Sequence, residues 1–346
     1  MLLLGNKKME STDKSDLRQV ILNSANQFKE GLELAKNIKS EGNFNGIEIS
    51  GMGGSALPGN ILRVFLNDIF KKSSGKKLAV YQNRFYSLPP EAFDNCLNFI
   101  CSYSGNTEET IASFQEALDN GLPCVGISSG GKLEEMCKAN GIPHVKLPVP
   151  CENFQPRTAT GYFFSSIFQV LVNSGLVEDR TRDLLELSEK LIEESEDLEN
   201  KGKELAKKLK EKTPIVYSTA KFKSVAMIWK IKFNENSKTP AFWNFFPELN
   251  HNELVGFTNP KADYFVIMLR DKDDNAQNRK RFEITAQILK EKGIESEIID
   301  MRGENVFYKM FSSLTLGDWT SYYLALEYGQ DPTPVELVEK FKNLLK

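Results

Sequence analysis

The sequence predicts an α/β protein built from two units, each a mainly parallel sheet flanked by helices. Three observations carry that expectation. Short β-type runs alternate with helix-like segments, the signature of strands linked by crossover helices. A long helical stretch interrupts the alternation, which then resumes. In both halves a strand opens into a turn of small or hydroxyl residues and then a helix, so the second half echoes the topology of the first without repeating its sequence.

Residues 16–40, "DLRQVILNSANQFKEGLELAKNIKS", carry apolar residues at helical spacing and predict a helix before the first strand. Strands are expected at 46–50, 77–82, 98–104, 123–129 and 144–149, with helices at 56–71, 107–120 and 131–140 between them. Residues 161–211 read as helical throughout. Their charged end, "SEKLIEESEDLENKGKELAKKLKEK" (188–212), pairs unlike charges at i, i+4 and suits a solvated connecting helix. From Thr213 strands are expected at 214–219, 239–246, 264–270 and 296–300, and helices at 221–235, 276–292, 306–328 and 334–346.

Composition narrows the function. The 346 residues suffice for two domains, and Lys+Arg 44 against Asp+Glu 47 gives a net charge of -3, which does not suggest a nucleic-acid partner. No apolar run reaches the roughly 18–20 residues that span a bilayer. The start, "MLLLGNKKMESTDKSD", places its leucines ahead of its lysines and lacks the pattern of a signal peptide, so a cytoplasmic protein is expected. Cys96, Cys101, Cys124, Cys137 and Cys151 form no CxxC pair and are expected to be reduced and mostly buried. No His/Cys cluster calls for a metal.

"IEISGMGGSALPGNIL" (47–62) is the first informative stretch. Gly51, Gly53, Gly54 and Ser55 join a strand to a helix. The turn matches neither G-x-G-x-x-G nor a P-loop, so no nucleotide cofactor is indicated. An anion held at the helix N-terminus by backbone N–H groups and the Ser55 hydroxyl remains. "FICSYSGNTEET" (99–110) sharpens this, because the hydroxyls of Ser102, Ser104 and Thr107 can converge on one phosphate without a cationic side chain. The competing reading is a capping box, with Ser104 or Thr107 capping its helix.

"GMGGSA" and "SYSGNTEET" resemble the two phosphate-binding turns of the sugar isomerase (SIS) domain, and the echo in the second half is similar to the double-SIS arrangement of phosphosugar isomerases. "QPRTATGY" (155–162), "NENSK" through "PELNHNE" (234–253) and the terminal "GDWTSYYLALEYGQDPTPVELVEKFKNLLK" extend the resemblance almost end to end, to the bifunctional phosphoglucose/phosphomannose isomerases. The organisation then expected is an N-terminal helical segment over 1–40, a phosphate-binding SIS domain over 41–155, connecting helices over 156–212, and a second SIS domain with C-terminal helices over 213–346.

The resemblance implies metal-independent interconversion of glucose 6-phosphate or mannose 6-phosphate with fructose 6-phosphate through a cis-enediol(ate), with no cofactor. It places Gly54, Ser55, Ser102, Ser104 and Thr107 on the phosphate, Glu235 as the base and His251 as the acid/base for ring opening. Arg157 falls where a fixed charge stabilises the enediolate, and Lys342 assists, with Lys340 and Lys346 as neighbours that a small misalignment would select. Thr333 falls where a small hydroxyl residue leaves room for both epimers. A homodimer is implied, with His251 supplied across the interface. The second histidine, His144, alternates with apolar neighbours and reads as structural. The rival readings are a non-catalytic sugar-phosphate sensor and an isomerase for a single related phosphosugar.

Overall fold

β1 (Gly46–Gly51) is buried at every position, as a strand in the middle of a parallel sheet covered on both faces must be. The computed structural model describes residues 11–72 and 77–345, which form two compact units: residues 23–192, and residues 193–345 with 11–22.

In the first unit β1, β2 (Ala79–Asn83), β3 (Cys96–Cys101), β4 (Cys124–Ser128) and β5 (His144–Lys146) pair in parallel in the order β2-β1-β3-β4-β5. The chain leaves β1 for one neighbour and returns to β3 on its other side. The strand order therefore reverses between β1 and β3, and the crevice beyond their carboxyl ends is where open α/β sheets bind ligands. Both turns singled out in the sequence lie there. β3 stops at Cys101, earlier than the expected 104, so Ser102, Tyr103 and Ser104 belong to the turn.

Helices α1 (Leu17–Asn23), α2 (Asn26–Ala35), α3 (Leu57–Lys72), α4 (Glu108–Asp119), α5 (Gly131–Ala139), α6 (Thr160–Asn173) and α7 (Thr181–Glu193) precede or separate these strands or follow them. α2 and α6 approach closely because Gly31 has no side chain: a Cβ there would lie 2.1 Å from Ser165 Oγ and 2.8 Å from the Tyr162 carbonyl. On α3, Phe65 packs edge-on against Phe168 at 5.4 Å. Cys96, Cys101, Cys124 and Cys137 are buried and unpaired, and Cys151 is partly exposed.

The stretch expected to be continuously helical breaks after α6. Gly175, at φ 66°, closes its end, with its own N–H on the Val172 carbonyl and that of Leu176 on Leu171, the arrangement by which a glycine stops a helix. The charged end also differs from a solvated connector. α8 (Ser195–Leu209) buries Leu198, Glu199, Gly202, Leu205, Ala206 and Leu209. The absent side chain of Gly202 admits α11 (Val306–Glu327), where a Cβ on Gly202 would meet Trp319 Cβ at 2.4 Å. Glu199 is buried because Arg18 binds both its oxygens at 2.8 Å and the Tyr323 hydroxyl donates to it at 2.5 Å.

The second unit's strands, β6 (Thr213–Thr219), β7 (Phe242–Phe246), β8 (Tyr264–Arg270) and β9 (Glu295–Asp300), pair in parallel in the order β7-β6-β8-β9. α9 (Lys223–Glu235), α10 (Ala276–Glu291), α11 and α12 (Glu336–Leu345) complete it. Asn275 and Asn305 cap α10 and α11, each accepting a backbone N–H two residues on. Tyr217, Phe246, Leu249, Val266, Met268 and Phe282 form a core on one face of the sheet. No described helix is long and apolar enough to cross a membrane.

Candidate active site

The glycines after β1 do two different things. Gly53 has φ 51°, a left-handed conformation natural to glycine, and a Cβ there would meet open space. Gly54 is a site of close approach: its Cβ would lie 2.5 Å from both the Arg157 nitrogen and the Pro156 carbonyl carbon. The turn of residues 53–56 thus presses directly on the turn Pro156–Thr158 and brings Arg157, only 3% exposed, beside the loop after β1. That proximity is backbone to backbone, and no motif spanning the hundred intervening residues announces it.

The turn after β3 interlocks with the first. The Tyr103 N–H donates to Ser55 Oγ at 2.9 Å, and the Ser102 and Thr107 hydroxyls pair at 2.9 Å. Thr107 is the N-cap residue of α4, yet its side chain makes no capping bond. The capping-box reading fails for Thr107, and its hydroxyl turns to Ser102 instead. Ser104 is exposed and accepts the Asn106 N–H at 3.3 Å, so it stands at the rim. Gly105, at φ 71°, lies against Gly130, where a Cβ would fall 1.8 Å from the carbonyl oxygen; this contact fixes the loop after β3 against the loop after β4.

Two buried polar groups that the sequence reading did not single out support these turns. Gln27 on α2 accepts the N–H groups of Gly161 and Tyr162 at 3.1 and 3.3 Å and donates to the Thr158 carbonyl at 2.8 Å, steadying the start of α6 next to Arg157. Glu48, at the centre of β1, accepts from Ser50 Oγ at 3.0 Å, and Ser50 is in turn bound by Asn83 at 3.2 Å. Burial pushes the Glu48 carboxyl up to about 8, so at neutral pH it is largely protonated. His144 shares a hydrogen bond with Ser128 Oγ at 2.8 Å and its pKa is lowered by burial, as befits a structural histidine.

In the second unit Glu235 is the last residue of α9 and is half-buried. Lys238, at φ 56°, donates to the Glu235 carbonyl at 2.6 Å and to the Pro332 carbonyl at 3.1 Å. A cation on the last carbonyls of a helix is favoured by the helix dipole, and here it ties the end of α9 to the loop carrying Thr333, itself buried. His251 is exposed at the end of the turn Glu248–His251. The segment after it is anchored by Glu253, which accepts hydrogen bonds from the Tyr217 hydroxyl and the Asn244 amide. Lys342 lies on the exposed helix α12, paired with Glu339 at 2.8 Å. Lys340 is exposed on the same helix, and Lys346 lies outside the described residues.

The turn after β6, the counterpart of the glycine turn, is satisfied internally. Thr219 Oγ1 donates to Asp274 at 2.8 Å, and the buried Asp271 carboxylate is bound by Lys309 at 2.6 Å and Lys221 at 3.2 Å. The chain's own carboxylates occupy these donors, whereas in the first unit the Ser102 and Thr107 hydroxyls pair with each other and Ser55 Oγ accepts the Tyr103 N–H.

Residues 198–345 match the family described as bacterial phospho-glucose isomerase C-terminal SIS domain. The bifunctional phosphoglucose/phosphomannose isomerase of Caldicellulosiruptor bescii is 37% identical over 342 residues, covering 94% of this chain and 97% of its own. That of Aquifex aeolicus is 34% identical over 333 residues, covering 96% and 98%. A solved structure of a hypothetical protein from Thermus thermophilus superposes with a TM-score of 0.70 at 15% identity, over 99% of this chain and 94% of that one, and shares the fold. On this likeness along nearly its full length, the chain belongs to the bifunctional phosphoglucose/phosphomannose isomerase family.

Proposed function

We propose that this protein interconverts glucose 6-phosphate and mannose 6-phosphate with fructose 6-phosphate. The observation that carries the reading is the interlocked pair of turns after β1 and β3, in which the Ser102 and Thr107 hydroxyls pair, Ser55 Oγ accepts the Tyr103 N–H, and the Gly54–Ser55 turn packs on the backbone of the buried Arg157, in a chain of this family. Hydroxyls and helix N-terminal N–H groups hold a phosphate without neutralising it.

His251, with assistance from Lys342, opens the pyranose by moving a proton between the C1 hydroxyl and the ring oxygen. The Glu235 carboxylate then takes the C2 proton of the open aldose. The C–H electrons form the C1–C2 double bond, and the C1 oxygen gains a proton to give the cis-enediol, whose developing negative charge the Arg157 guanidinium stabilises. Loss of the O2 proton and return of a proton to C1 gives the ketose. The enediol has no stereocentre at C2, so in reverse one base returns the proton to either face once the C2–C3 bond turns. The small Thr333 side chain leaves that freedom. None of these transfers requires a metal.

The protein acts as a homodimer in the cytoplasm, with His251 provided by the partner. Apolar exposure supports the association: Leu337, Phe341 and Leu344 on α12 are 83%, 61% and 78% exposed, and Val255, four residues from His251, is 71% exposed. The testing experiment incubates the protein with each aldose phosphate in EDTA and follows fructose 6-phosphate. Turnover of both is expected; turnover of neither returns the reading to a sugar-phosphate sensor, and turnover of one alone removes the second specificity.

A further inference from the structure

One buried serine of α11, Ser312, differs from its helical neighbours. Serine and threonine inside a helix ordinarily donate back to a carbonyl of the preceding turn, and two neighbours on α11 do so: Thr320 to Leu316 at 2.7 Å and Ser321 to Gly317 at 2.8 Å. Ser313 instead accepts the Trp229 indole N–H at 3.2 Å. Ser312 is only 2% exposed and its Oγ has no hydrogen-bond partner. A buried unmet hydroxyl costs stability. It lines a cavity of about 330 Å³ bounded by α8, β9 and α11, all within the second unit, a volume at the small end of small-molecule sites.

We infer that this cavity is a second binding site, separate from the residues assigned to isomerisation, for a neutral polyhydroxylated molecule about the size of one sugar ring. Its lining sets the class. Leu205 and Leu316, both buried, offer an apolar surface for a C–H face. Among the described residues no aromatic ring lines the cavity, so they offer no platform on which a nucleobase would stack. The three cations in its lining are committed: Lys201 to Asp197 at 3.2 Å, Lys208 to Glu297 at 2.7 Å, and Arg302 to Glu194 at 2.7 Å. A phosphate or carboxylate ligand would have to break these pairs. Glu204 is an exposed carboxylate at the edge with no ion pair among the described residues, an acceptor for ligand hydroxyls. Ser312 at the base supplies the complementary contact.

The test titrates the full chain with unphosphorylated D-glucose, read by saturation-transfer NMR and calorimetry. Wild type, Thr107→Val, Ser312→Ala and Leu205→Trp are compared, and circular dichroism confirms folding. Saturable binding is expected in wild type and unchanged in Thr107→Val, because the phosphate-type turn is not involved. Ser312→Ala should weaken it by about 5-fold through the lost hydrogen bond, and Leu205→Trp should abolish it by filling the cavity. Should Leu205→Trp fail to fold, Ser312→Ala decides alone. Absence of saturable glucose binding to wild type, loss of binding in Thr107→Val, or unaltered binding in Ser312→Ala would overturn the inference. None of these outcomes depends on the isomerase reading, which the turnover assay tests separately.

Discussion

The Thr107 hydroxyl lies 2.9 Å from that of Ser102 and leaves α4, the helix that Thr107 begins, without a side-chain cap. A residue placed for stability would cap; this one is turned toward another hydroxyl at the mouth of the sheet. Thr107→Val, which keeps the shape, should therefore leave the melting temperature nearly unchanged, whereas losing a true cap costs about 0.5–2 kcal/mol. KM for either aldose phosphate should rise by about 10-fold or more, since a hydrogen bond to a charged group contributes ~1.5–3 kcal/mol. Melting curves and steady-state kinetics on the same preparation check both parts.

Gly54→Ala tests the contact between the two backbone turns. With its Cβ 2.5 Å from the Arg157 nitrogen, the new methyl has to push backbone aside. Overpacking of this kind typically costs about 1–3 kcal/mol. Urea denaturation should show that loss, together with a fall in kcat as Arg157 is displaced. Gly53→Ala is the control: its Cβ meets open space, so it carries only the conformational cost of a left-handed alanine.

Stability should depend on pH through Glu48. Below about pH 4.5, its ordinary value, the carboxyl is protonated in both the folded and the unfolded chain and contributes no pH dependence. Between pH 4.5 and about 8 the unfolded chain releases the proton while the folded chain keeps it, so the unfolded state gains and stability falls as pH rises. Above about 8 the slope vanishes. Glu48→Gln should flatten this window, matching wild type near pH 4.5 and exceeding it in melting temperature at pH 8.

Lys238 is a positioning residue for Glu235, because its ammonium joins the Glu235 and Pro332 carbonyls. Lys238→Met should lower kcat by up to ~100-fold, as small misplacements of a reacting group do, with KM within about 2-fold. Lys238→Arg, which can span the same carbonyls, should restore most of the rate. A purely structural role would instead lower the melting temperature of Lys238→Met in proportion to the lost activity and leave kcat of the folded fraction intact.

The elements legible in the sequence were those with a local cause. Alternating apolar runs placed the strands, and Gly53, Ser102 and Thr107 stood out because a strand-to-helix turn of small hydroxyl residues has few other uses. The charged stretch after Ser188 misled because its i, i+4 pairs describe only the outward face of α8; the inward face, Leu198, Gly202 and Leu205, packs on α11 more than a hundred residues away. Gln27, Glu48 and Lys238 act through backbone groups that folding brings to them, and no spacing rule links Gln27 to Gly161. The contact of Gly54 with the Pro156–Arg157 backbone joins segments a hundred residues apart, and no local pattern signals it.

The most direct measurement is the rate of Glu235→Gln on both aldose phosphates, with phosphate-site occupancy followed by calorimetry. A single shared base predicts that fructose 6-phosphate formation from glucose 6-phosphate and from mannose 6-phosphate falls together by about 10³-fold or more, while affinity for the sugar phosphates holds. If one aldose were still converted at near the wild-type rate, a single carboxylate could not be serving both.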